Sequence, residues 1–244
     1  MLTGSSGALR QLDPRVTTDE SDIDDHLTLE VRDGRRVSAR LVLPAGARAC
    51  YVLAHGAGAG MEHPFMSAAA RELGALGIGT LRFQFPYMEQ RSRRPDPPPV
   101  CHGAVRAAVA EAARRAPGLP LLAGGRSFGG RMSSQAQALA PMPGVRGLVF
   151  LGFPLHPAGA PSESRARHLF DVEIPMLFLQ GARDALAERG LLETVVARLG
   201  ARATLRLVED ADHSFHVPAR SGRSDEEVRG ELWRALNEWI GSWQ

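Results

Sequence analysis

The stretch Leu119-Pro120-Leu121-Leu122-Ala123-Gly124-Gly125-Arg126-Ser127-Phe128-Gly129-Gly130 decides how this chain is read. Leu119 to Ala123 is a short apolar run, as a buried strand requires, and Phe128 to Ala140 is patterned as a helix. Between them stands Gly125-x-Ser127-x-Gly129. A strand-to-helix turn this sharp strains the serine backbone. Small residues two before and two after it let a neighbouring chain pass close by. The hydroxyl then projects at the mouth of the sheet, at a helix N-terminus. A plainer reading is a glycine-rich turn whose serine caps the helix.

The same alternation extends outward in both directions. Leu27 to Val31 and Val37 to Leu43 alternate apolar and polar residues around Asp33-Gly34, which predicts a hairpin at a sheet edge. Cys50–Ala54, Ile78–Phe85, Val145–Leu151, Met176–Gln180 and Ala203–Val208 read as strands. Glu62–Leu76, Val100–Ala116, Leu186–Leu199 and Asp225–Ile240 read as helices, and 86–99 is a loop rich in Arg and Pro. Apolar strands separated by helices predict an α/β fold whose mostly parallel sheet, of about eight strands, is covered on both faces. Ligands of such sheets bind outside the carboxyl ends of the strands. The 244 residues fit one domain, expected over 25–244. Residues 1–24 are polar and acid-rich, and a flexible N-terminal arm is expected there.

Hydrophobic residues make up 44% and charged residues 23%, a soluble globular balance. No apolar run approaches the ~18 residues of a membrane span, and no signal-peptide core is present. A cytoplasmic protein without a membrane partner is therefore expected. The 29 basic and 27 acidic residues leave a net charge of +2, which does not point to nucleic acid. Arg91, Arg93 and Arg94 form one local cluster, read as a solvated loop or as capture of an anionic group. Every basic residue is Arg, with no Lys. That excludes a Walker-type phosphate loop, Schiff-base chemistry and a Ser-Lys dyad, because guanidinium does not deprotonate near neutral pH. Cys50 and Cys101 form no CxxC pair and are expected to be buried and unpaired.

A serine nucleophile needs a base, and the order around this kind of turn is Ser, then acid, then His. His213, in the loop after the last strand, is the expected base, with His216 the nearest alternative. Asp184 follows the strand Met176 to Gln180 and is the expected acid; its plainer reading is a helix cap. A tetrahedral intermediate also needs an oxyanion hole. Its expected donors are the backbone N–H of Phe128 and that of Ala57, with Gly56 the alternative to Ala57. Substrate contacts are expected from His156, Phe153, Tyr87 and Met88. Only residues 152–174 separate the strands Val145–Leu151 and Met176–Gln180, room for a loop and one short helix, so an open site without a lid is expected.

Neither a cofactor nor a metal ion is expected. Gly56-x-Gly58-x-Gly60 places Met61 where a dinucleotide fingerprint needs glycine, and no acid ends the next strand. Asp210, Asp212, His213 and His216 cluster in sequence without a zinc motif.

His55-Gly56, the Ser127 turn, Asp184 in Gly-x-x-Asp and Asp212-His213 occur in the order of the α/β-hydrolase superfamily, which the chain resembles from about residue 37 onward. His55-Gly56-Ala57-Gly58 and Phe153-Pro154-Leu155-His156-Pro157 make it more similar to the dienelactone-hydrolase-like branch and to the small family that includes testis-expressed protein 30. The resemblance implies a Ser127, Asp184, His213 triad acting on a small ester, thioester or lactone, and implies no particular substrate. Dienelactone hydrolase carries Cys where this chain has Ser127. The alternative function is a non-enzymatic scaffold of the same fold acting as an interaction module.

Overall fold

The computed structural model describes residues 22–92 and 94–243. Of the expected arm, residues 1–21 lie outside the described residues, whereas Ile23 and Asp24 already belong to the first strand. The chain runs β1 (Ile23–Glu30), β2 (Arg36–Leu43), β3 (Ala49–Ala54), α1 (Pro64–Gly74), β4 (Ile78–Phe83), α2 (Pro86–Glu89), α3 (Pro98–Arg115), β5 (Leu121–Arg126), α4 (Phe128–Leu139), β6 (Val145–Leu151), β7 (Met176–Gly181), α5 (Arg189–Leu199), β8 (Ala203–Val208) and α6 (Asp225–Gly241).

The eight strands form one sheet in the order β1-β2-β4-β3-β5-β6-β7-β8. β1 and β2 pair antiparallel, β2 joins β4 antiparallel, and every other pairing is parallel. The parallel strands are mostly apolar because both faces are covered. In β3, Cys50, Val52 and Ala54 point into the core beneath α3 and α4. Ala49, Tyr51 and Leu53 point into the opposite core, beneath α1 and α6. Tyr51 is wholly buried, and its hydroxyl donates to Val149 O at 2.9 Å. α6 starts on a capping box, in which Ser224 Oγ accepts from Glu227 N and the Glu227 carboxylate accepts from Ser224 N. Two backbone donors at the helix start are thereby satisfied.

Between β6 and β7 the chain makes only a loop and a 3-10 segment, Ser164–Asp171. No cap domain stands there. Both cysteines are free and buried, and burial raises each thiol pKa to about 12.

Candidate active site

Ser127 follows the last residue of β5 and begins the turn into α4 at φ +49°, ψ −111°, a region non-glycine residues avoid. The surrounding packing imposes this conformation. Gly125 holds φ +139°, and a Cβ on it would lie 2.1 Å from Ala54 O; a Cβ on Gly129 would lie 2.4 Å from the same oxygen. Both glycines therefore exist so that the end of β3 can press against the turn. Ser127 N–H donates to Leu151 O at 3.0 Å and ties the turn to β6.

Asp184 lies three residues past the end of β7, with its side chain wholly buried. Oδ1 accepts from Leu186 N at 2.7 Å, a local turn bond and not the helix cap of its plainer reading, since α5 begins only at Arg189. Oδ2 faces His213 Nδ1 at 2.6 Å and also accepts from Gln180 Nε2. His213 stands on the loop after β8. That loop can descend because residue 181 is glycine, where a Cβ would meet Asp212 O at 2.4 Å. His213 Nε2 is 2.8 Å from Ser127 Oγ. The Asp184 carboxylate accepts from Nδ1, so the ring proton sits on Nδ1 and the Nε2 lone pair faces the serine hydroxyl.

His216, the alternative base, is exposed and pairs with Asp225 at 2.9 Å; this carboxylate raises its pKa. Asp212 accepts from Ser214 N and His216 N, shaping the loop. Among the described residues no group of three or more His, Cys, Asp and Glu is placed to hold a metal ion.

Phe128 N–H, the first amide of α4, and Ala57 N–H, in the loop after β3, donate to no protein acceptor among the described residues. Both residues line the same cavity as Ser127, whereas Gly56 does not. His55 and Tyr87 hold that loop in place. His55 Nδ1 donates to Gly56 O at 2.8 Å and its Nε2 accepts from Phe85 N at 3.1 Å. Burial lowers the His55 pKa to about 4, which keeps this ring neutral. Tyr87 Oη accepts from Gly58 N at 3.1 Å.

The cavity beside Ser127 has a volume of about 390 Å³ and is lined by Ala57, Ser127, Phe128, Met132, Pro154 and Leu186, among others. Tyr87, Phe153 and His156 do not line it, contrary to the sequence expectation. Phe153 is wholly buried between Phe150 and Phe178. His156 is buried with both ring nitrogens committed, Nδ1 donating to Pro157 O and Nε2 accepting from Glu188 N. Tyr87 acts behind the loop rather than at the surface of the cavity. Met88 is half-buried and packs against the core. Of the arginine cluster, Arg91 and Arg94 are exposed and do not line the cavity, and Arg93 lies outside the described residues.

Three contributions escaped the sequence reading. Gln180 is buried and donates to Asp184 while its Oε1 accepts from Phe153 N at 2.8 Å. Its signal was an amide at the end of an otherwise apolar strand. Arg126 reaches from the serine turn to Ser214 Oγ at 3.0 Å, with its guanidinium 4.9 Å from the Phe65 ring centroid, and so braces the histidine loop. Pro95, Asp96 and Pro98 of the Arg- and Pro-rich loop line the cavity.

A second serine–histidine contact, Ser134 Oγ with His168 Nε2 at 2.8 Å, is of another kind. Ser134 is buried within α4, and its hydroxyl donates to Arg131 O. Burial, reinforced by the Arg131 charge, lowers the His168 pKa to about 4. No carboxylate hydrogen-bonds to His168 among the described residues, and Ser134 does not line the cavity.

Residues 47–241 match the model of the alpha/beta hydrolase domain family, and the chain belongs to that family. Among solved structures it is similar to a lidless α/β serine hydrolase from Xanthomonas campestris, with 25% identity over 88% of this chain and 94% of that one, at a TM-score of 0.70. It also resembles dienelactone hydrolase from Anabaena variabilis, with 19% identity over 91% and 98% of the two chains and a TM-score of 0.73. A serine hydrolase homologue from Coxiella burnetii superposes with a TM-score of 0.70 at 20% identity, over 87% of this chain and 97% of that one. The last two likenesses concern the fold alone.

Proposed function

We propose that the protein is a serine-dependent carboxylic ester hydrolase that works through an acyl-enzyme intermediate. The observation that carries this reading is the continuous relay from Ser127 Oγ to His213 Nε2, 2.8 Å, and from His213 Nδ1 to Asp184 Oδ2, 2.6 Å. Membership of the hydrolase family and the lidless serine hydrolase likeness support it.

In this reading His213 Nε2 takes the Ser127 proton as Oγ attacks the acyl carbon. Asp184 stabilises the imidazolium without itself accepting the proton. The negative charge on the tetrahedral oxygen is received by the Phe128 and Ala57 amides, supplemented by the N-terminal dipole of α4. The imidazolium then returns its proton to the leaving alkoxide or thiolate. Water attacks the acyl-enzyme by the same route, releasing acid and restoring Ser127. The small cavity without a cap favours short esters, thioesters or lactones over long-chain lipids. The reaction needs no cofactor.

A fluorophosphonate probe and a series of p-nitrophenyl esters of increasing chain length test this. Wild type is expected to label and to prefer short chains, with Ser127→Ala silent in both assays. Absence of labelling and turnover in the wild type, leaving it indistinguishable from Ser127→Ala, would favour a non-enzymatic scaffold.

A further inference from the structure

The cavity beside Ser127 is lined by two arginines that the relay does not use. Arg131 lies on α4 four residues after the nucleophile, one turn further along the same face and displaced along the axis by about 6 Å. Arg165, from the 3-10 segment after β6, lines the cavity with it. Neither has a carboxylate within ion-pair distance among the described residues, whereas Arg115, Arg189 and Arg198 are all paired. Arg131 Nε is buried and donates to nothing. Burial and the neighbouring Arg165 charge both lower the Arg131 pKa. Arg131 and Arg165 are like charges lining one cavity without a carboxylate partner, and an anion entering that cavity would offset their repulsion.

The third charged residue in the lining is Asp96, whose Oδ2 is also buried without a partner. Two guanidinium groups against one carboxylate leave a single positive charge, which suits a monoanion better than a phosphate dianion. The guanidinium fork fits a carboxylate bidentately. Met132, Pro154 and Leu186 supply an apolar wall to the same cavity.

We propose that Arg131 and Arg165 capture a carboxylate on the acyl part of the substrate, so that the preferred substrates are monoesters of short dicarboxylic acids. This rests on the esterase reading of Ser127. The apolar wall accommodates the methylene arm, and the spacing along α4 sets its length. Because arginine stays charged across the working pH range, capture depends on ionic strength rather than on protonation of the protein.

Hydrolysis of monomethyl glutarate and of methyl valerate, followed by proton release, tests the proposal in wild type, Arg131→Gln and Arg165→Gln. The wild type is expected to favour the anionic ester about tenfold in kcat/KM, through KM, and to lose that preference at high salt. Each variant is expected to lower the anionic-to-neutral ratio. A wild-type ratio at or below one, or a ratio unchanged in both variants, would overturn it. Calorimetric titration of glutarate into Ser127→Ala, with and without Arg131→Gln, reads capture without turnover. Glutarate binding that depends on Arg131, with no ester hydrolysed by the wild type, would sink the esterase reading and leave the anion site standing. Turnover of methyl valerate with no binding of glutarate would do the opposite.

Discussion

Gln180 Nε2 and His213 Nδ1 meet on the same oxygen, Oδ2 of Asp184. The amide is itself fixed through its Oε1 to Phe153 N. The carboxylate therefore cannot rotate away from the imidazole without losing a donor in a site closed to water. In the proposed mechanism Gln180 is a positioning residue, acting through Asp184 rather than on substrate. Gln180→Leu keeps the strand apolar but frees the carboxylate. Its kcat on a short ester should fall about 10- to 100-fold with KM nearly unchanged, by analogy with losses of orienting partners elsewhere. Steady-state kinetics checks this, and a change confined to KM would contradict it.

Ser127 holds a backbone conformation that costs about 1–3 kcal/mol for a residue with a side chain. Glycine adopts it freely but gains entropy in the unfolded state. Ser127→Gly should therefore be inactive yet more stable by about 1 kcal/mol, a rise of about 2–4 °C in Tm for a chain this size. Ser127→Ala should be equally inactive without that gain. Scanning calorimetry of the three proteins separates them.

Gly129 has no room for a methyl group, since a Cβ there would sit 2.4 Å from Ala54 O and 2.7 Å from His55 O. Backbone on both sides prevents a small adjustment. Gly129→Ala should lose about 3 kcal/mol or more of stability, or fail to accumulate in soluble form. Urea unfolding gives the value, and a wild-type midpoint would show that β3 can move away from the turn.

Burial holds His55 and His168 neutral, lowering each from the ordinary 6.5 to about 4. Below pH 6.5 the unfolded chain binds protons that the folded chain refuses. The contribution of these groups is thus complete above pH 6.5 and is lost as pH falls toward 4. Each wholly buried histidine adds a slope of up to about 1.4 kcal/mol per pH unit in that window. His168 adds less because solvent partly screens it. Unfolding free energies measured at pH 7, 5.5 and 4.5 should fall in this order, and His55→Gln should flatten the slope.

The meeting of Ser127, Asp184 and His213 was legible because each follows a strand in an order that parallel topology enforces. Ser127, Asp184 and His213 stand where that order expects them. The lining of the cavity was not legible. Phe153, His156 and Tyr87 follow strands too, but their side chains turn into the core or onto backbone groups. Helix starts were blurred for a related reason. α5 begins at Arg189 rather than Leu186 because Leu186 N–H bonds to Asp184 and Glu188 N–H to His156. β5 runs on to Arg126, beyond its apolar run, because Gly124 and Gly125 still pair with β3 and β6.

The sequence by itself determined the alternation of strands and helices, the glycines at 125 and 129 and the order of Ser127, Asp184 and His213. These are local or periodic properties, written in spacing and residue size. Tertiary structure alone decided that Gln180 would steady Asp184, that Arg126 would brace the histidine loop, and that Arg131, Arg165 and Asp96 would share a cavity with the serine. Those relations join residues far apart in the chain. Their distances depend on strand order and loop course, which no local pattern encodes.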